Sequence, residues 1–207
     1  VHRSLEKFTK PIETDCVDIQ AISIAKELTK TEKNVTLINI YDSPENSAYK
    51  IRLRKQGLEE NTLENLLHFI GEQSGHSDII LMGDLNARTG TLNYIPTVRD
   101  WANKKKTTAP TACRASKDKT VNERGKKFLD LIGSCDLSIM NGCILGDIFG
   151  EFTCYRYRQS VVDYVAISPG MKSSVKNFKI LPLTELSDHR PLLCQLSSKV
   201  PLIAAEI

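Results

Sequence analysis

The sequence predicts a mixed α/β sandwich in one domain, and three observations carry that prediction. Apolar runs of strand length, such as Ile79-Ile80-Leu81-Met82, recur along the chain. Helical patterns separate the strands in the first half, whereas short strands dominate the second half, which argues against a purely parallel doubly wound sheet. The chain has 207 residues, 41% hydrophobic and 26% charged, the balance of a globular chain long enough to bury a core. No apolar run approaches the roughly 20 residues of a membrane span. No linker divides the chain, so one domain is expected over 1–197, with 198–207 as a tail.

The elements follow in order. Residues 16–24 alternate as a strand, 35–41 form a second, and the Lys/Glu/Thr stretch between them reads as a hairpin turn. Ser43-Pro44 ends the second strand. From Glu45 to Gln73, Leu58, Leu63, Leu66, Leu67 and Ile70 recur at helical spacing, and Gly71 and Gly75 close the segment. Residues 78–82 form a short buried strand, and Gly83 opens a tight loop. The segment 99–120 is rich in Thr, Lys and Pro and reads as loop. Residues 122–133 suggest a helix capped by Asn122, with Phe128, Leu129 and Ile132 on one face. Short strands are expected at 137–140, 151–155, 161–167, 175–181 and 191–196.

The net charge of +3 is unevenly spread. Arg99 to Lys127 holds ten basic and three acidic residues, and the remainder is mildly acidic. Such a block reads first as a solvated loop, and as a polyanion contact only if it lies beside a site that handles phosphate. The six cysteines form no C-x-x-C pair, so a zinc site is not expected, and Cys16, Cys154 and Cys194 read as buried thiols in a reducing compartment.

Four places put polar groups directly after apolar strands, where a rigid scaffold displays functional groups. In Gly83-Asp84-Leu85-Asn86-Ala87-Arg88-Thr89-Gly90, Asp84 and Asn86 share one side if the chain stays extended. A carboxylate there can orient or deprotonate water, and an amide can donate to a phosphoryl oxygen, although Asp and Asn are also ordinary turn residues. In Val161-Val162-Asp163-Tyr164, a carboxylate among β-branched residues is costly unless paired. Ser187-Asp188-His189-Arg190-Pro191 offers a partner, with Asp188 and His189 facing opposite ways along a strand. Asn39-Ile40-Tyr41 could offer the Tyr41 hydroxyl to a phosphate or be an interfacial aromatic.

In this order, GDLN, VVDY and SDH resemble the endonuclease/exonuclease/phosphatase superfamily, whose DNase I-like fold is a four-layer αββα sandwich. The extension to GDLNARTG resembles the endonuclease domains of non-LTR retrotransposons. So do Asn122…Gly125, Asn141-Gly142 and Gly146-Asp147…Gly150…Phe152-Thr153 leading into SVVDY. Tyr155-Arg156-Tyr157-Arg158-Gln159 departs from the inositol-phosphatase branch. The resemblance implies metal-assisted hydrolysis of phosphodiesters in nucleic acid, most simply DNA. Asp84 would activate water and Asn86 contact the phosphate. Asp163 would orient His189, which contacts the scissile phosphate, and Tyr41 would assist there. Asp188 would help place Mg²⁺, with Mn²⁺ as an alternative. Arg88, Lys104, Lys105, Lys106 and Arg114 are the expected nucleic-acid contacts. A reverse-transcriptase domain in a parent polyprotein and nuclear action within the cell would follow from a retroelement origin.

The family's upstream Asn and metal-ligating Glu motifs have no counterpart here, since neither Glu6 nor Glu13 follows an apolar strand. Together with Val1 as first residue, this gives the expectation of a domain missing its N-terminal strands, with reduced or absent activity. The alternatives are a lipid or small-molecule phosphoesterase on the same fold, and a non-enzymatic relic or binding module.

Overall fold

The structure is a computed structural model that describes residues 3–57, 61–93, 97–99, 106–108, 114–143 and 146–198. Its centre is a six-stranded sheet built from β1 (Thr9–Ile12), β2 (Ile19–Ile24), β3 (Asn34–Tyr41), β4 (Ser77–Asp84), β7 (Ser138–Ile139) and β8 (Asp163–Ile167), in the order β1-β2-β3-β4-β8-β7. Among the described strands only β3 and β4 pair in parallel. That pairing requires a crossover, supplied by α1 (Ala48–Lys55) and α2 (Thr62–Ser74). A third helix, α3 (Glu123–Ser134), begins at Asn122, whose side chain accepts from the Gly125 N–H at 2.7 Å. Strands β9 (Val175–Ile180) and β10 (Leu192–Leu196) form a separate antiparallel pair, and β5 (Thr97–Arg99) pairs with β6 (Lys106–Thr108).

Several elements differ from the sequence reading. The strand expected from residue 16 starts at Ile19, because a turn closed by the Ile19 N–H on the Cys16 carbonyl occupies its first residues. Strand β1 was not expected: it is short, lacks alternation and contains Pro11, which its edge position tolerates. The single helical stretch of 45–73 is two helices. Gly57, at φ +68°, follows the first, and Asn61 caps the second by accepting from the Glu64 N–H. Leu58 lies outside the described residues. The expected strand 151–155 reduces to isolated bridges from Cys154 to Ser160 and to His189. The expected loop 99–120 contributes Arg99 and Lys106–Thr108 to the β5–β6 pair. Of 198–207 only Ser198 is described, and it bridges to Thr29.

The pleat sorts the core onto two faces. Ile38, Ile40, Ile79, Leu81, Tyr164 and Ala166 face one way and pack with Leu66, Phe69 and Ile70 of α2 and with Phe128, Leu131 and Ile132 of α3. Val35, Ile80, Val165 and Ile167 face the other way, against Met171, Val175, Phe178 and Ile180. This second cluster takes no residue from an α-helix. At about 25 cal/mol per Å² of apolar area, burying both faces is what holds the layers together.

The same two-residue period decides what emerges at the sheet edge. Tyr41 continues the odd positions of β3, Asp84 the even positions of β4, and Asp163 the odd positions of β8, all toward the β9–β10 face. Register puts them in one row, with Tyr41 opposite Asp84 and Asp84 opposite Asp163.

Close approach of β3 fixes the residue before this aspartate. Gly83 has φ +138°, and a Cβ there would collide with the Ile40 carbonyl oxygen of β3. Gly83→Ala is therefore expected to lower stability by about 3 kcal/mol or more, read as a reduced urea midpoint at unchanged m-value.

Candidate active site

Asp84, Asp163 and His189 meet at the edge of the central sheet. Asp84 closes β4, Asp163 opens β8, and His189 precedes β10. The His189 Nδ1 lies 3.0 Å from both carboxylate oxygens of Asp163. One ligand atom from each of the three residues lies within 4.8 Å of the others, making this a group able to hold a metal ion. No glutamate joins it among the described residues. Tyr41, half exposed, stands beside Asp84 in register.

Charge explains the protonation preferences. Burial and the facing Asp163 carboxylate push the Asp84 carboxyl up to about 6, opposed by the Asn86 backbone N–H that donates to its Oδ1 at 2.9 Å and by His189. His189 moves above its ordinary value because Asp163 accepts its Nδ1–H, against the opposing effect of burial. Burial, and then Asp84, raise the Tyr41 phenol. A divalent cation would relieve the crowding of the two carboxylates, so the donor set fits one. Asp84 is the member not committed to His189.

The loop after β4 is not extended. Asn86 has φ +47°, in the left-handed region that Asn tolerates. Its side chain does not simply align with that of Asp84: the Nδ2 donates to the Asp42 carbonyl at 3.1 Å, while its backbone N–H holds Asp84. Tyr164, fully buried, sets its hydroxyl between the Ala87 and Val161 carbonyls at 3.0 and 2.9 Å. The loop is thus tied to both neighbouring strands.

Further residues support the site without having been singled out for a role. Thr153, buried, accepts from the backbone N–H groups of Val162 and Asp163 at 3.1 Å each. Asn141 donates to the Asp163 carbonyl and accepts from the Val165 N–H. Both lay in the motif series quoted above, but their function depends on contacts 9 to 24 residues away in sequence.

The expected basic contacts divide. Arg114 is buried, not exposed: its guanidinium donates to the Asn141 carbonyl, the Thr89 hydroxyl and the Leu92 carbonyl, and stacks over Tyr164. Among the described residues its guanidinium is thus engaged by protein groups rather than presented at the surface. Arg88 forms a bidentate pair with Asp118, at 2.7 Å and 2.6 Å, and its charge is spent inside the protein. Lys104 and Lys105 lie outside the described residues, as does the Lys106 side chain. Asp188 is exposed and pairs with Arg156 at 3.6 Å, so the structure does not bring it into the Asp84–Asp163–His189 group.

The five described cysteines are free, and Cys113 lies outside the described residues. Among the described residues no helix is long and apolar enough to cross a membrane.

The model of the family described as endonuclease-reverse transcriptase matches residues 35–193. Among solved structures, the chain is similar to a 3′ phosphatase, NExo, from Neisseria bound to a product DNA hairpin. The TM-score is 0.55 and the identity 16%, over 88% of this chain and 66% of that one. It is similar to the 3′-5′ exonuclease NExo from Neisseria meningitidis, at TM-score 0.56 and 16% identity, over 91% and 70%. It also resembles the endonuclease domain of TRAS1, a telomere-specific non-LTR retrotransposon, at TM-score 0.57 and 18% identity, over 92% and 68%. The chain spans about two thirds of the length of these structures, and the likeness concerns the fold. No curated protein matches the sequence.

The raised Asp84 carboxyl has a sign that can be checked. Its proton is held more tightly in the folded chain, so stability from this group is full near pH 4, falls as pH rises to about 6, and stays reduced above. Asp84→Asn in chelator is expected to raise the melting temperature at pH 8 by the equivalent of about 2 kcal/mol, with the gain vanishing near pH 4.

Proposed function

The chain belongs to the endonuclease-reverse transcriptase family of the DNase I-like endonuclease/exonuclease/phosphatase superfamily, and on that premise we propose that it hydrolyses phosphodiester bonds in DNA. The observation that carries this reading is the Asp163–His189 pair set against a second, uncommitted carboxylate, Asp84, on one sheet edge.

The chain's own groups supply the chemistry. Asp84, with its carboxyl near 6, accepts a proton from the attacking water while ionised at neutral pH. The water oxygen bonds to phosphorus as the bond to the leaving oxygen breaks, and that oxygen takes a proton from solvent to leave as the alcohol. His189 keeps Nδ1–H on Asp163, which favours the imidazolium, and the Nε2–H of that cation donates to a phosphate oxygen and offsets its developing charge. Asn86 has one amide N–H on the Asp42 carbonyl, and the same amide, which also supports the Asp84 carboxylate, faces the phosphate from there. Tyr41 offers its hydroxyl beside Asp84. A divalent cation, Mg²⁺ or Mn²⁺, held among Asp84, Asp163 and His189 would supply Lewis-acid polarisation of the phosphoryl group. Asp188 would join it as a ligand only after leaving Arg156.

A retroelement origin is supported by the family description and by the GDLNARTG motif. A reverse-transcriptase partner domain and action on chromosomal DNA belong to that reading.

Supercoiled plasmid tests it. The chain is expected to nick DNA with Mg²⁺, slowly for want of a ligating glutamate among the described residues, and to stop when EDTA is added. Asp84→Asn and His189→Ala should each lower the rate by about a thousandfold while circular dichroism stays unchanged. Hydrolysis of a soluble phosphate ester with intact plasmid would favour a small-molecule phosphoesterase, and inactivity on both would favour a binding module.

A further inference from the structure

The series Asn122…Gly125 lies in the first turn of α3, yet the chemistry above gives it no part. Its surroundings do. On one side, Asn122 holds the loop that follows β4: its Oδ1 accepts from the Arg88 N–H at 3.0 Å, and its own N–H donates to the Arg88 carbonyl at 3.0 Å. Gly125 sits so close that a Cβ would collide with that carbonyl. On the other side, Arg124 reaches the loop that follows β3. Its Nη1 donates to the carbonyls of Asp42 and Ser43 at 3.1 and 2.9 Å, and its Nη2 donates to Glu45 at 2.9 Å. Its Nε lies 3.4 Å from the buried Asp42 carboxylate. The Asp42 carbonyl is also the acceptor of the Asn86 side-chain amide.

We propose that Arg124 is a positioning residue: by holding the Asp42 carbonyl from α3, it sets the angle at which Asn86 presents its side-chain amide beside Asp84 to the phosphate. A carbonyl oxygen has two lone pairs, and here one serves Arg124 and the other Asn86. The Asp42 N–H donates to the Asp84 carbonyl at 2.8 Å, so the same residue ties the β3 exit to the β4 exit. Asn86 occupies a left-handed conformation between Asp84 and Arg88, and a residue in that region keeps one geometry only when its surroundings fix it. Arg124 acts through Asp42 and touches no reacting atom. Loss of the clamp lets the amide swing by fractions of an ångström to an ångström, a displacement that costs up to about a hundredfold in rate.

The inference rests on the phosphodiesterase reading, and two readouts separate their failures. In steady-state nicking, Arg124→Ala should lower kcat at least tenfold with KM within twofold. Arg124→Lys, which keeps the stem and one donor, should recover part of that loss. Glu45→Ala, which removes the exposed partner of Arg124 and the surface pair with Arg54, should stay within twofold of the parent. In ¹⁵N NMR of the same proteins, the Asn86 side-chain amide should shift and exchange faster in Arg124→Ala but not in Glu45→Ala. Parental kcat in Arg124→Ala would overturn the proposal. So would equal losses in Arg124→Ala and Glu45→Ala, or an unmoved Asn86 amide. Cleavage unaffected by Asp84→Asn would sink the phosphodiesterase reading instead, and the amide signal would still decide whether Arg124 holds Asn86.

Discussion

Two carboxylates held opposite each other across β4 and β8 govern the rest of the site. Like charges at such a place repel, and the fold contains the repulsion in two ways. His189 takes up one carboxylate, Asp163, from the neighbouring layer. The other, Asp84, receives a backbone N–H from Asn86 and otherwise remains exposed to the field of its neighbour. The asymmetry distinguishes the two acids: one is bound to its imidazole, and the other has the proton affinity of a base suited to neutral pH.

The loop from Gly83 to Gly90 is the second organising feature, since every layer reaches it. Tyr164 holds it from below, Asn122 and Gly125 from α3, and Asp118 through Arg88. Asp118 also accepts from the Val161 N–H at 3.0 Å, linking the loop to the entry of β8. The basic block therefore has two parts of different character. Arg88 just ahead of it, and Arg114 and Arg124 within it, turn inward and brace loops, while Lys117 and Lys126 lie at the surface in pairs with Glu151 and Glu123.

Much of this was legible in the sequence because strand-end chemistry leaves a local signature. An aspartate among β-branched residues demands a partner, and one polar cluster at the end of the chain offered it. The period of two in β3, β4 and β8 also determines which face Tyr41, Asp84 and Asp163 share. Other features left no local trace. Pro11 hides an edge strand, and Gly57 divides what the leucine spacing joined. The inward turn of Arg114 and the left-handed Asn86 depend on Asn141, Thr89 and Asp42, which are distant in sequence. A window along the chain contains no record of such contacts.

The row formed by Tyr41, Asp84 and Asp163, closed by His189, has a consequence for the life of the chain. Its members are separated by roughly 40, 80 and 25 residues, so loop closure opposes their meeting until the intervening strands have paired. His189 comes last and docks from the outer pair of strands. A chain still being synthesised, or one collapsed around β2, β3 and β4 alone, holds an aspartate at the sheet edge but no imidazole beside it. The timing of assembly thus keeps the Asp163–His189 pair unformed in every partly folded form that lacks the outer strands.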